Sequence, residues 1–462
     1  MSDRLSVPAE LLARYDSAGP RYTSYPTAVE FREDFQEPDY LRALERADAC
    51  GAAPLSVYTH LPFCERRCTF CGCHSFATTR KEVAEPYLEH LLREFDLVAA
   101  RLPRRRKVAQ FHLGGGTPTY FSPTQLERLV AGFARLFDFL PHAELAVEVD
   151  PRVTGEAHLD TLARLGFNRI SMGVQDFSPE VQQAIGRGQT REQTTDLVAR
   201  ARQRGFGGIN FDLVYGLPAQ KPESFARTLA ETVALRPDRV ATYSFAYLPM
   251  VRSNQKLIDV RAVPDRDTKF QLLAMAREAF LAAGYQAIGM DHFALPSDEL
   301  AVAQRQGRLS RNFMGYTVSP GDDTLGFGVS AIGDVRGALV QNEKKLAPYY
   351  RMLHDGRLPV QRGYARSRDD EIRRDAILSL MCNFTVSRAT LEARYGIVFA
   401  DYFDETLAKL QPFKKDGMCR LDEQGVHAIG LGQIFVRNLA MCFDAYLNPR
   451  QQLGRPVFSR TV

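Results

Sequence analysis

Apolar positions along this chain follow two alternating rhythms. Short runs rich in β-branched and aromatic residues read as strands: "LSVYTH" (55–60), "VAQFHL" (108–113), "ELAVEV" (144–149), "NRISMGV" (168–174), "GINFDLV" (208–214) and "RVATYSF" (239–245). Between them apolar residues return every three or four positions, the pattern of amphipathic helices, as in "AEPYLEHLLREFDLVAARL" (84–102), "SPTQLERLVAGFARLFDF" (122–139) and "PESFARTLAETVALR" (222–236). The second of these opens with Ser122 as N-cap, Pro123 in the first helical position and Gln125 completing a capping box. Strands that alternate with helical crossovers imply parallel pairing, hence an α/β sheet or barrel. A further pair, "PDRDTKFQLLAMAREAFLAAGY" and "QAIGMDHF", is a candidate extension of that sheet. Past about residue 360 the alternation fades into helical patterns (369–384, 388–397, 399–413), with "CRLDEQGVHAI" as a short hairpin. The expected organisation is a Tyr- and Pro-rich leader (1–50), an α/β unit (51–360) and a mostly helical C-terminal domain (361–462).

Polar residues gather where the strands end: Tyr58 and His60, His112 with "GGGTP", Glu148 and Asp150, Gln175, Asp212 and Tyr215, Tyr243 and Ser244. In a parallel βα array these ends share one rim, where barrel enzymes carry their chemistry. Charge changes little: 59 Lys plus Arg against 55 Asp plus Glu leave +4, too small a surplus to imply nucleic acid. The one dense basic run, "RLPRRRK" (101–107), reads as a solvated helix end. No run of 18 apolar residues and no charged-then-apolar leader is present, so a cytoplasmic protein without a membrane span is expected.

In a reducing compartment a tight cysteine cluster points to metal binding or catalysis rather than stapling. Four of the eight cysteines, Cys64, Cys68, Cys71 and Cys73, lie within "CERRCTFCGC"; the other four are scattered and read as small buried hydrophobes. Structural zinc normally draws on two separated pairs, and here there is one loop, although His60, His74 and Cys73 are available to complete a zinc sphere. Thiolates wrapped in a single loop suit an iron–sulfur cube better, and three of them would leave one iron open. The glycines of Gly114–Pro118 permit close backbone approach to a ligand, or simply a tight turn. "GFGVSA" (326–331) matches a dinucleotide fingerprint, but without a supporting βαβ unit it is set aside.

The spacing Cys64-x3-Cys68-x-Phe70-Cys71 resembles the signature of the radical S-adenosylmethionine (SAM) superfamily. Together with "GPRYTSYPTAVEF", "HLGGGTPTYFS", "EVDPR", "GFNRISMGVQDF", "NFDLVYGLPAQ", "GMDHFALPSDELAVAQ" and "RNLAMCFDAYL", it is similar over nearly the whole chain to the oxygen-independent coproporphyrinogen III oxidase family. The resemblance implies a partial (β/α)6 barrel of the radical SAM type with an N-terminal extension. It implies a [4Fe-4S] cluster on Cys64, Cys68 and Cys71, with two SAM molecules that are also consumed. The first SAM would meet Tyr58, Gly115, Glu148 and Ile332; the second, Phe70, Gly116, Thr117, Gln175, Arg187, Asp212 and Ala246. The implied reaction turns two propionates of coproporphyrinogen III into vinyl groups in haem biosynthesis, through a 5'-deoxyadenosyl radical, with no side-chain acid or base. A flavodoxin- or ferredoxin-like electron donor, an unidentified terminal electron acceptor and a monomeric state complete the expectation. Cys73 is expected near the cluster without ligating it, Arg21 is a candidate for a substrate carboxylate, and Met314 in "NFMGY" stands where relatives are expected to carry an amide. The rival reading is a haem-binding chaperone of the same family, which typically lacks the leader and the fourth cysteine.

Overall fold

A computed structural model of the chain describes residues 7–318, 321, 323–447 and 458–461. The first six residues of the expected leader, and 448–457 and 462 of the expected C-terminal unit, lie outside these. The six sequence-predicted runs are strands β1 (Leu55–Leu61), β2 (Lys107–Gly115), β3 (Asp138–Val149), β4 (Arg169–Gln175), β5 (Gly208–Tyr215) and β6 (Arg239–Ser244), each parallel to the next. Their Val, Ile, Leu and Phe side chains are buried, as both faces of such a sheet require. Helices cover the outer face. Ala84–Ala99 packs on Pro123–Ala134, and Phe95, Phe111 and Phe133 form the joint, with Phe111 and Phe133 ring centroids 4.7 Å apart.

The capping box forms as expected, Ser122 Oγ accepting from Gln125 N and Gln125 Oε1 from Ser122 N (3.0 Å). The helix it starts ends at Ala134, short of the expected residue 139. Phe137 turns under Phe133, and Asp138 N donates to Arg106 O (2.8 Å), so the chain enters β3 at once.

The sheet has twelve strands, and both flanks are additions to the six. On one side the extension expected at 286–293 is an antiparallel hairpin, β7 (Gln286–Ile288) and β8 (His292–Ala294), paired to β6. On the other side β9 (Asp323–Phe327) runs parallel to β1, followed by antiparallel β10 (Ile332–Val335), β11 (Ala338–Asn342) and β12 (Val360–Ala365). "GFGVSA" is thus the end of β9 and its turn. Gly328 N donates to Glu94, whose fully buried carboxylate also accepts from Asn342 and Tyr349.

One expectation changes in part. Arg101, Arg104 and Lys107 of the basic run are exposed as expected, but Arg105 is fully buried, ion-paired with Asp323 and donating to Ala53 O and Pro54 O, because the start of β1 and β9 needs its unpaired carbonyls satisfied. The leader is built into the fold. Tyr22 and Tyr25 are 1% and 0% exposed, inside the core made by Arg368–Asn383, Asp404–Lys415 and the small sheet of Thr385–Ser387, Cys419–Asp422 and Gly425–Ala428.

Candidate active site

At the C-terminal ends of the parallel strands lies a cavity of about 580 Å³. Cys64, Cys68, Cys71 and Cys73 line it from the loop after β1; Gly115, Gly116 and Thr117 from the end of β2; Glu148 and Asp150 from β3; Gln175 and Arg187 from β4 and the segment beyond; Asp212 from β5; Ala246 after β6. Phe70 also faces it. Tyr58 and Ile332 stand behind this lining. Tyr58 OH donates to His60 Nδ1 (2.9 Å), and Ile332 packs against Gly326, the β9 partner of Tyr58.

The glycines of the β2 loop, which line the cavity, are also required by the protein's own packing. A Cβ at Gly115 (φ +118) would lie 2.6 Å from the His60 ring, and one at Gly116 would lie 2.7 Å from the backbone of Pro62 and Phe63. This contact seats the loop on the cysteine segment: Gly116 N donates to Leu61 O and Thr117 N to Phe63 O, both 2.9 Å. Thr117 Oγ1 then stands 3.4 Å from Cys64 Sγ. At the end of β4 a register shift leaves Gln175 at φ 67, the strained left-handed region that clusters at functional sites.

Electrostatics divides the wall. Burial pushes the Glu148 carboxyl up, but His112 beside it (3.4 Å), the Gly115 N–H (3.0 Å) and His60 outweigh burial and hold it below its ordinary value. Asp212 goes the other way, pushed up to about 6 by burial and by Glu148, although Ser171 and Asn210 each donate to it at 3.0 Å. Asp150 is held down, against burial, by Arg187 (3.4 Å) and Arg152 (2.6 Å), which leaves one positive charge in excess at that wall. Arg187 also donates to Gly173 O (2.8 Å) and lies 3.6 Å from Cys68 Sγ.

The thiol loop fits an iron–sulfur cluster. Among the described residues no three His, Cys, Asp or Glu side chains converge as ligands of one metal ion. Both nitrogens of His60 are engaged, Nε2 donating to His74 O (2.8 Å), and burial lowers its pKa to about 4; His74 donates to Lys344 O (2.7 Å). The zinc sphere considered from the sequence therefore loses His60, while His74 keeps only Nδ1 unengaged. Cys73 donates to Cys71, lowering the Cys71 pKa and raising its own, and Cys73 N lies 3.4 Å from Cys71 Sγ. All eight cysteines are free thiols.

Sequence reasoning missed the residues that hold this loop. Asn254 Nδ2 donates to the carbonyls of Cys68 (3.1 Å), Thr69 (2.9 Å) and Cys71 (3.0 Å), and Gln255 Nε2 to those of Phe70 (3.1 Å) and Ala246 (3.0 Å). They sit in an aperiodic stretch that carried no signal. Arg152 was within reach, since it closes the "EVDPR" block. Arg21 reaches the cavity's edge, its guanidinium 5.2 Å from the Tyr243 ring centroid and paired with Asp291. Met314 lines a smaller cavity of about 110 Å³ inside the barrel, with Glu148, Asp212 and Tyr243.

A three-thiol loop at the open end of a parallel βα array defines a radical SAM protein, and residues 58–231 match the Radical SAM superfamily. Residues 367–435 match the HemN C-terminal domain. The chain belongs to the oxygen-independent coproporphyrinogen III oxidase family. It is 45% identical to the Escherichia coli protein of that name over 98% of each chain, and 42% identical to the Pseudomonas aeruginosa one over 100% of each. The solved structure of Escherichia coli coproporphyrinogen III oxidase (HemN), described as a radical SAM enzyme, matches with TM-score 0.91 and 44% identity, covering 96% of this chain and 100% of that one. No helix among the described residues is long and apolar enough to cross a membrane.

Proposed function

We propose that this protein is an oxidoreductase of haem biosynthesis that decarboxylates the propionates of rings A and B of coproporphyrinogen III without oxygen, yielding protoporphyrinogen IX. The observation that carries this reading is the cavity in which a three-thiol loop faces Glu148, Asp212 and Arg187, in a chain related end to end to proteins of that name. Cys64, Cys68 and Cys71 would hold the [4Fe-4S] cluster. Reduced and bound there, it supplies the electron that cleaves SAM to methionine and a 5'-deoxyadenosyl radical.

The remaining roles belong to the chain's own side chains. Glu148, held ionised, accepts the ribose hydroxyls of the first SAM, with Tyr58, Gly115 and Ile332 around it. Arg187 pairs with the carboxylate of the second, and Asp212 accepts from its cationic groups, between Phe70, Gly116, Thr117, Gln175 and Ala246. Cys73 stays off the cluster, because three thiolates leave one iron open for SAM and a fourth would close it. The four substrate carboxylates call for cations. Arg67 and Arg252 line the cavity without an ion-pair partner among the described residues, and Arg21 stands at its edge. We assign the protein to the cytoplasm as a monomer, with a one-electron donor for the cluster and a separate terminal electron acceptor.

The test is an anaerobic incubation of reconstituted protein with coproporphyrinogen III, SAM and dithionite. Release of CO2 with formation of the divinyl product is expected. Deoxyadenosine without either product would overturn the substrate and leave the radical class standing, and tight haem binding without turnover would favour the chaperone.

A further inference from the structure

We propose that residues 250–261, together with the outer side of the cysteine loop, form the docking surface for a small acidic protein that carries single electrons. The proposal rests on the function proposed above, since only a cluster in this loop gives such a carrier something to reduce. Of the eight large apolar side chains exposed among the described residues, four belong to this one segment: Met250 (80%), Val251 (62%), Leu257 (78%) and Val260 (56%). The segment is firmly held. Two turns of 3-10 helix, Ser253–Leu257 and Val260–Ala262, shape it, and Ile258 is buried against Val181, Ile185 and Phe245. Its inner side is the Asn254–Gln255 clamp on the carbonyls of residues 68 to 71.

An ordered apolar patch kept in water gains nothing from its own chain, and such patches mark interaction sites. Here Val251 and Leu257 each lie three residues from Asn254, whose side chain is bonded to the backbone of two proposed cluster ligands, so a partner covering the patch is brought against the cluster. Charge selects the partner. Lys81 neutralises Glu65 (2.8 Å) and Arg261 neutralises Asp259 (3.0 Å), while exposed Arg66 and Lys256 have no ion-pair partner among the described residues. An apolar centre with an uncompensated cationic rim complements an acidic protein and repels a second copy of itself. Across the contact the donor's reduced flavin or iron–sulfur centre loses one electron and the cluster gains it; no atom is transferred.

The test compares the reconstituted full-length protein with a Lys256→Glu/Leu257→Asp double variant, neither position lining the cavity. A purified acidic flavodoxin is the probe. Its binding is read by flavin fluorescence and cluster reduction by loss of visible absorbance, with dithionite as a parallel reductant. In the double variant the flavodoxin Kd is expected to rise about tenfold or more and to lose most of its salt dependence. Flavodoxin-driven reduction should slow in step, with the melting curve and dithionite-driven reduction unchanged. Unchanged flavodoxin binding, or an equal loss with dithionite, overturns the proposal. So does a dimer of the wild-type protein that the variant abolishes, which would assign the patch to a second copy. A milder Val260→Ser variant guards against misfolding and should shift Kd in the same direction. Binding and reduction are both measured without porphyrin, so neither result depends on which substrate the enzyme takes.

Discussion

The raised Asp212 carboxyl has a quantitative consequence for the second SAM site proposed above. It titrates at about 6 instead of 3.8, first because burial strips its hydration and next because Glu148 faces it. A cationic group brought to it restores the lost stabilisation and returns the carboxyl toward its ordinary range. A shift of about two units at about 1.4 kcal/mol each is worth at most about 3 kcal/mol, or about a hundredfold in affinity. The free site holds its proton more tightly than the complex does, so binding SAM expels a proton between pH 3.8 and about 6. Affinity therefore rises with pH across that window and levels off above it. The same shift works against the empty fold. Its contribution to stability is fully present below 3.8 and lost as pH rises through about 6, so Asp212→Asn is expected to melt higher than wild type at neutral pH while binding SAM about ten- to a hundredfold more weakly. Isothermal titration of the reconstituted protein in buffers of different ionisation enthalpy reads both affinity and proton release. S-adenosylhomocysteine, which lacks the sulfonium charge, serves as the control. A wild-type affinity that stays flat from weakly acid to neutral pH, or a slope that survives in Asp212→Asn, would refute the reasoning.

Three further outcomes follow from the geometry. The buried Glu94 carboxyl is pushed up to about 7 by burial, so its contribution to stability is complete below 4.5 and is lost as pH rises through about 7; Glu94→Gln should flatten that part of the melting-temperature profile, a change of up to about 3 kcal/mol. Cys73→Ala should keep about four irons and four sulfides per chain, while serine at Cys64, Cys68 or Cys71 should lose most of them on the same chemical analysis. Gly116→Ala sets a methyl 2.7 Å from the Pro62 and Phe63 backbone; it should cost about 1–3 kcal/mol in chemical denaturation and lower the iron retained after gel filtration.

The parts of this molecule that were legible in the sequence share a local cause. β1 to β6 announce themselves because burial on both faces demands continuous apolar runs, and the thiol loop because its ligands are neighbours in the chain. What stayed hidden depends on distant partners. β9 is short and glycine-containing, and it becomes a sheet strand only by lying beside β1. The charge of Arg105 suggests solvent until Asp323 and the β1 carbonyls surround it. Residues 136–139 keep a helical spacing, but the Phe137–Phe133 contact draws them into β3. Asn254 and Gln255 have no periodicity to report, since their role is to bond a loop nearly two hundred residues earlier in the chain.

The leader and the far C-terminus are tied to each other. Asn438 donates to Tyr15 O (2.7 Å), Arg437 to Pro20 O (3.3 Å), Thr461 N to Ser17 O (2.7 Å), and Arg460 pairs with Asp16 (2.6 Å). During synthesis, then, these bonds of residues 15–20 cannot form until residues 437–461 have left the ribosome. Arg21 follows Gly19 and Pro20, whose carbonyls Arg437 holds, so the same closure steadies the edge of the mouth beside Tyr243.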